Sequence, residues 1–384
     1  MTRPSVSALT ALSVTVLSSV ALASSALAQQ TRAPAAPRTA IKVETFATGL
    51  AHPWGLQFLP GGRLLVTERP GRLRLVSPEG VVSPPIAGVP KVSAAGQGGL
   101  LDVALAPDFA KTGEIYLSYA EPRKGGGNGT SLARGKLELT DAGGRLSDVA
   151  VIFRQQPSYA SDQHFGSRIV FADNGTLFLT VGDRYTLQDQ AQNPENHLGK
   201  MMRLTRDGSP APDNPKLPGW DAAIWSIGHR NVQGAALHPT TGELWTAEHA
   251  ARGGDEINIV RKGRNYGWPV ITYGRDYSGA KIGEGTAKAG MEQPIYYWDP
   301  SIAPSGAAFY TGDLFPAWKG NLLVGALAGQ HLARLVLDGE RVVGEERLLG
   351  DLDARIRDVR VGPDGAVWML IDQSKGRILR LVPG

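Results

Sequence analysis

Residues suited to chemistry gather at a few places in the chain. His164 and Arg168 lie in DQHFGSR, and Asp183 closes the stretch DNGTLFLTVGD. An imidazole titrates near neutrality, so a His oriented by a carboxylate makes a general base, although a lone His equally serves as a plain hydrogen-bonding residue. Arg230 and Asn231 stand together in SIGHRN, Gln97 in GQGGLLDVAL, and Arg355 and Arg357 in RIRDVR. Forked guanidinium groups suit carboxylate or phosphate, and several that converge imply a multiply anionic ligand. A surface ion pair, for instance Arg357 with Asp358, is the competing reading for any one of them. The stretch EHAARGGDEIN, from Glu248, is too irregular for a helix or strand interior and crowds acids around small residues. It is either a solvated turn or a place where main chain and carboxylates hold something. Other chemistries lack their parts: there is no cysteine, no G-x-S-x-G elbow, and no His or Cys spacing of a zinc site around HFGSR.

The elements that must carry these residues are short strands. Six stretches share a Gly-containing turn followed by apolar residues at period two: PGGRLLVTE, KTGEIYLSYA, DNGTLFLTVGD, TTGELWTAEH, KGNLLVGAL and PDGAVWMLID. That pattern marks a strand leaving a tight turn. Several continue through a second turn into another strand, as in PGRLRLVSPEG and KGRILRLVPG. Six such units without a useful helical period predict an all-β, six-bladed β-propeller over residues 41–384, in preference to a β-sandwich or two small β domains. A propeller sets its functional groups on loops at the mouth of a central channel, where the candidates above would meet. The long loop TYGRDYSGAKIGEGTAKAGMEQP is of a size that caps a site.

The 48 glycines and 26 prolines fit a turn-rich chain, and an apolar fraction of 42% suffices for a sizeable core. Arg3, the apolar run ALTALSVTVLSSVALA and Ala26-Leu27-Ala28 read as a cleaved export signal over residues 1–28. Residues 29–40 read as a flexible linker. The mature chain is expected in a bacterial periplasm, without a membrane span. A net charge of +4, with no basic cluster interleaved with aromatics, gives no footprint for nucleic acid.

Together PWGLQFLPGGRLLVTER, GQGGLLDVAL, QHFGSR, VGDR, IGHRNVQG, EHAARGGDEIN, NYGWP and RIRDV followed by PDG resemble the soluble pyrroloquinoline quinone (PQQ)-dependent aldose sugar dehydrogenases, relatives of soluble quinoprotein glucose dehydrogenase. The resemblance runs from about Phe46 to the C-terminus and implies a six-bladed propeller. It also implies PQQ and Ca²⁺ as cofactors, an aldose oxidised at its anomeric carbon to the lactone, and a periplasmic electron acceptor. On it, His164 is the base, Asp183 its support, and Arg230 the group that polarises the quinone. Gln97, Asn231, Arg355 and Arg357 match cofactor- or substrate-contacting positions. Where the family has Gly-Pro, whose carbonyls bind calcium, this chain has Ala250-Ala251. Calcium accepts any main-chain oxygen, so retained but weaker binding is expected. Glu256 and Tyr266 match a second, structural calcium site, with a solvated acid and a packed ring as the bland reading. Ala328 stands where glucose dehydrogenase has a Lys, with Gln330 and His331 beside it. Two other classes compete: a calcium-dependent lactonase, which needs no arginine cluster, and a non-catalytic sugar- or protein-binding propeller with a decayed cofactor site. The latter predicts aromatic platforms such as Trp225, Trp245 and Trp298 near the mouth.

Overall fold

The computed structural model describes Met1, residues 33–140 and residues 143–384. The expected export signal lies, Met1 apart, outside the described residues. Six antiparallel sheets follow one another in a ring, each a blade of the propeller expected from the repeats. Their innermost strands are Pro53–Phe58, Leu100–Leu105, Ile169–Phe171, Val232–Leu237, Pro304–Phe309 and Ile356–Val361. Each packs beside the next, and the sixth returns to the first. The second strands, Leu64–Glu68, Glu114–Pro122, Leu177–Val181, Leu244–Glu248, Leu322–Ala326 and Val367–Ile371, correspond to the six turn-strand units of the sequence.

Blade six closes the ring. Its three strands from the C-terminal end are completed by the N-terminal strand Ile41–Leu50, which pairs antiparallel with Gly376–Pro383. Residues 33–40, the described part of the stretch read as a linker, lie along blade five. Ala36 and Glu345 share a main-chain bond of 2.9 Å, Trp318 donates to Thr39 at 3.0 Å, and Arg334 donates to the Pro37 carbonyl at 3.2 Å.

The core lies between the blades. Trp245, Ile257 and Trp298 of blade four pack against Phe309, Val324 and Leu335 of blade five, and comparable clusters fill the other interfaces. A blade therefore has both faces covered, and the second strands Leu64–Glu68 and Leu177–Val181 are buried throughout. The polar positions in the period-two alternation stitch blades together. Ser118 donates to the Ser167 carbonyl at 2.6 Å, Thr180 to that of Val232 at 2.9 Å, and Ser305 to that of Ile356 at 2.6 Å. Each hydroxyl joins one blade to the next, satisfying a buried polar group and fixing the stagger between neighbours.

Charged side chains of blades two, three and six meet across the central channel. Arg168 reaches Asp102 at 3.0 Å and Asp358 at 3.1 Å, and Arg360 reaches Asp358 at 3.1 Å. Asp102, Arg168 and Asp358 are buried, and Arg168 lies 4.5 Å over the Trp54 ring. Innermost strands come close enough that a methyl group on Gly306 would collide with Asp358.

Candidate active site

The chemistry-bearing loops share one end of the ring for a topological reason. Each innermost strand is antiparallel to the second strand of its blade. The loop entering the first therefore lies beside the loop leaving the second. His164 enters the first strand of blade three and Asp183 leaves its second; Arg230 and Asn231 enter the first strand of blade four and EHAARGGDEIN leaves its second.

His164 and Asp183 meet as the sequence suggested. His164 Nδ1 lies 2.6 Å from Asp183 Oδ1, and both side chains are buried. Three features hold them. His164 has a φ of 50°, an uncommon left-handed backbone for a residue with a side chain. Its turn packs so tightly that a methyl group on Gly182 would strike the His164 carbonyl, which explains the glycine in TVGDR. Gln97 Oε1 accepts the His164 main-chain N–H at 2.9 Å. With Nδ1 committed to the carboxylate, Nε2 is the nitrogen left for a ligand. Burial lowers the His164 pKa and Arg230 adds to this, against the raising influence of Asp183.

A residue not singled out from the sequence completes the pair. Trp268, in NYGWP, donates Nε1–H to Asp183 Oδ2 at 2.8 Å, so both carboxylate oxygens are engaged. Its ring also lies 5.2 Å from the Arg230 guanidinium. Nothing local in NYGWP points to this, because the partner lies a blade away.

Arg230 is buried, and its NH1 donates to the carbonyls of His249, at 3.2 Å, and Ala250. Glu248 accepts the Arg230 main-chain N–H with one oxygen and meets His229 Nδ1 at 3.1 Å with the other. Asn231 accepts from Gly166 N–H at 3.1 Å, while its Nδ2 is buried without a partner among the described residues. The Nε2 of His249 is in the same position. Burial lowers the His249 pKa strongly, and Arg357, then Arg230 and His164, add to this.

The Ala250-Ala251 loop is shaped by Asp255. That acid accepts Ala250 N–H at 2.9 Å, Ile302 N–H at 2.7 Å, Ala303 N–H at 2.8 Å and the Ser301 hydroxyl. A small cavity beside the loop is lined by Glu248, Glu256, Tyr266 and Thr272. Burial, and then the neighbouring Glu248, push the Glu256 carboxyl up to about 8. The Tyr266 hydroxyl donates to the Ile259 carbonyl at 2.5 Å and its ring stacks on His229, so the side chain is occupied in packing.

Arg355 and Arg357 divide. Arg357 is buried and pairs with Asp372 at 2.8 Å, in place of the Asp358 pairing considered from the sequence; Asp358 is taken by Arg168 and Arg360. Arg355 is exposed and its NH1 donates to the Leu327 carbonyl at 3.3 Å. His52 adds a contact to Asp372 at 2.8 Å. Ala328 is exposed, Gln330 has a φ of 51°, and His331 turns Nδ1 to the Gly329 carbonyl at 2.7 Å.

The long loop forms one wall of a cleft of about 280 Å³, with Asp276, Tyr277 and Ile282 facing Tyr185, Arg230, Ala251 and Trp268. The three tryptophans named as platforms for a binding propeller lie elsewhere. Trp245 and Trp298 are core residues, and Trp225 packs against Phe178.

A family model described as Glucose / Sorbosone dehydrogenase matches residues 50–380. The chain is 46% identical over 354 residues to Aldose sugar dehydrogenase YliI of Escherichia coli strain K12, covering 91% of this chain and 94% of that one. A crystal structure of a glucose dehydrogenase superposes with a TM-score of 0.85 at 50% identity, covering 88% of this chain and 99% of the other. The PQQ-bound form of an aldose sugar dehydrogenase from Streptomyces coelicolor superposes with a TM-score of 0.75 at 30% identity, covering 90% and 99%.

Proposed function

The chain belongs to the glucose/sorbosone dehydrogenase family, and from that premise we propose that it oxidises aldose sugars at the anomeric carbon to the lactone, using PQQ and calcium. The observation that carries this reading is the buried His164–Asp183 pair at the mouth, 2.6 Å apart, with Arg230 beside it.

The side chains present fit such a cofactor. Asn231 Nδ2 and His249 Nε2 are buried polar atoms without a partner among the described residues, a costly state that a polar ligand would relieve. Arg355 and Arg357 suit the cofactor's carboxylates. The Ala250 carbonyl already faces one cation, the Arg230 guanidinium. A carbonyl oxygen has two lone pairs and can also face calcium, as can its neighbour at Ala251. Among the described residues no group of three or more His, Asp or Glu is set for a metal, so a cation here leans on main-chain oxygens. Glu256, with the Tyr266 carbonyl, is the proposed second calcium position.

When bound, PQQ supplies the hydride acceptor that amino-acid side chains lack. The protein's own part is proton transfer, orientation and charge. His164 accepts the proton of the anomeric hydroxyl at Nε2. Asp183 fixes the ring through Nδ1 and stabilises the imidazolium that forms. Trp268 holds the second oxygen of Asp183 and so keeps the carboxylate in the plane of that contact. Arg230 places positive charge where negative charge develops. Gln97 and Asn231 hold the turn that carries His164, each through one main-chain N–H. We further infer export to a periplasm through the signal over residues 1–28, where an electron acceptor collects the electrons.

The test is direct. The mature protein is purified without cofactor, supplied with PQQ and calcium, and followed for sugar-dependent dye reduction and for the quinone absorption spectrum. Bound cofactor that an aldose reduces supports the reading. Failure to bind PQQ at saturating calcium would instead favour a propeller that binds without catalysing.

A further inference from the structure

Arg252 and Arg275 stand directly opposite each other at the rim of the mouth. Arg252 N–H donates to the Arg275 carbonyl at 2.8 Å and Arg275 N–H to that of Arg252 at 3.0 Å, an isolated antiparallel bridge. Both residues are exposed. Like charges at directly opposed bridge positions are destabilising. Arginines away from the mouth are typically neutralised, Arg206 by Asp108 and Glu114 and Arg334 by Glu346. Neither Arg252 nor Arg275 forms an ion pair among the described residues. Their chain neighbours Ala251 and Asp276 line the cleft that reaches Arg230. Arg252 is two residues from Ala250, whose carbonyl holds Arg230, and that length of chain spans at most about 7 Å. An unneutralised positive pair thus sits within a short step of the candidate reaction centre, without being part of it.

We propose that Arg252 and Arg275 form the docking point for a negatively charged, one-electron acceptor. This rests on the sugar dehydrogenase reading above. An aldose loses two electrons and two protons in becoming the lactone, so two such acceptors each take one electron per turnover, and the protons pass to water. A local field of this kind raises the encounter rate with an anion and lowers it for a cation, most strongly at low salt.

The experiment uses the PQQ- and calcium-loaded protein at saturating sugar with two probes of opposite charge, ferricyanide and hexaammineruthenium(III). The double variant Arg252→Glu/Arg275→Glu is expected to lower the second-order rate constant for ferricyanide about tenfold at low ionic strength. The same variant should raise the constant for the ruthenium complex, and both differences should fade as salt increases. Arg252→Lys/Arg275→Lys, which keeps the charge, should behave as wild type, and kcat/KM for the sugar at saturating acceptor should not move in any variant. Ferricyanide constants and salt slopes that are equal in all forms would overturn the proposal, as would equal losses with both probes. Absence of sugar-dependent reduction of either probe by the wild type would overturn the dehydrogenase reading and this inference with it.

Discussion

At His164 the sign of the pH dependence follows from which form acts. A base must be neutral, so activity is present above its pKa and is lost as pH falls through it. Burial and Arg230 lower that pKa from the ordinary 6.5. The acid limb of kcat/KM against pH is therefore expected below 6.5, and a limb well above it would remove His164 as the base. His164→Ala should abolish turnover while leaving PQQ binding intact. Trp268 makes a finer test. Its N–H draws charge from Asp183, and removing it in Trp268→Phe leaves the carboxylate a stronger partner for the imidazolium. The acid limb should then move to higher pH, and a buried acceptor without its donor should cost about 1–3 kcal/mol of stability in denaturant unfolding. A purely structural role for the indole would lower stability without moving the limb.

The elements show how much could be read in advance. Each second strand announced itself because a glycine turn and a period of two lie within ten residues of each other. Asp183 stood out because it follows such a strand, and His164, Arg230 and Asn231 because each lies in a short polar motif just before the strand that pairs with one. Trp268 on Asp183 and Asp372 on Arg357 were not, because partners that meet across or within blades leave no local pattern. The EHAARGGDEIN stretch sits between these cases: its acids were visible, but the holding of Ala250 N–H by Asp255 at 2.9 Å was not. That contact bears on the missing Gly-Pro. Asp255 fixes the path of the loop where proline would have stiffened it, and glycine at position 250 would keep the N–H that Asp255 accepts. Replacing Ala250-Ala251 by Gly-Pro is expected to tighten calcium binding as measured by calorimetry. An unchanged Kd would show that these carbonyls are not ligands.

For the whole molecule, the blades stand or fall together, since the ring is closed by the N-terminal strand pairing with the C-terminal one. A cation held at Glu256 then acts on the stability of the entire ring. Glu256 is pushed up to about 8 by burial and by Glu248, so a divalent cation would offset both. Chelation is expected to lower Tm, and calcium at a hundredfold excess over Kd to restore about 2.7 kcal/mol. Glu256→Gln should remove the part of the Tm response to chelator that this cation contributes, leaving only that of the ion at Ala250-Ala251, and a Tm that still responds fully would move the second cation elsewhere. The packing of Arg168, Asp102, Asp358 and Arg360 across the axis has a kinetic counterpart. On the proposed reaction it makes the chamber a cul-de-sac, in which sugar would enter and lactone would leave by one door. Product therefore obstructs the next substrate, and lactone should act as a competitive inhibitor whose departure sets the pace when sugar is plentiful.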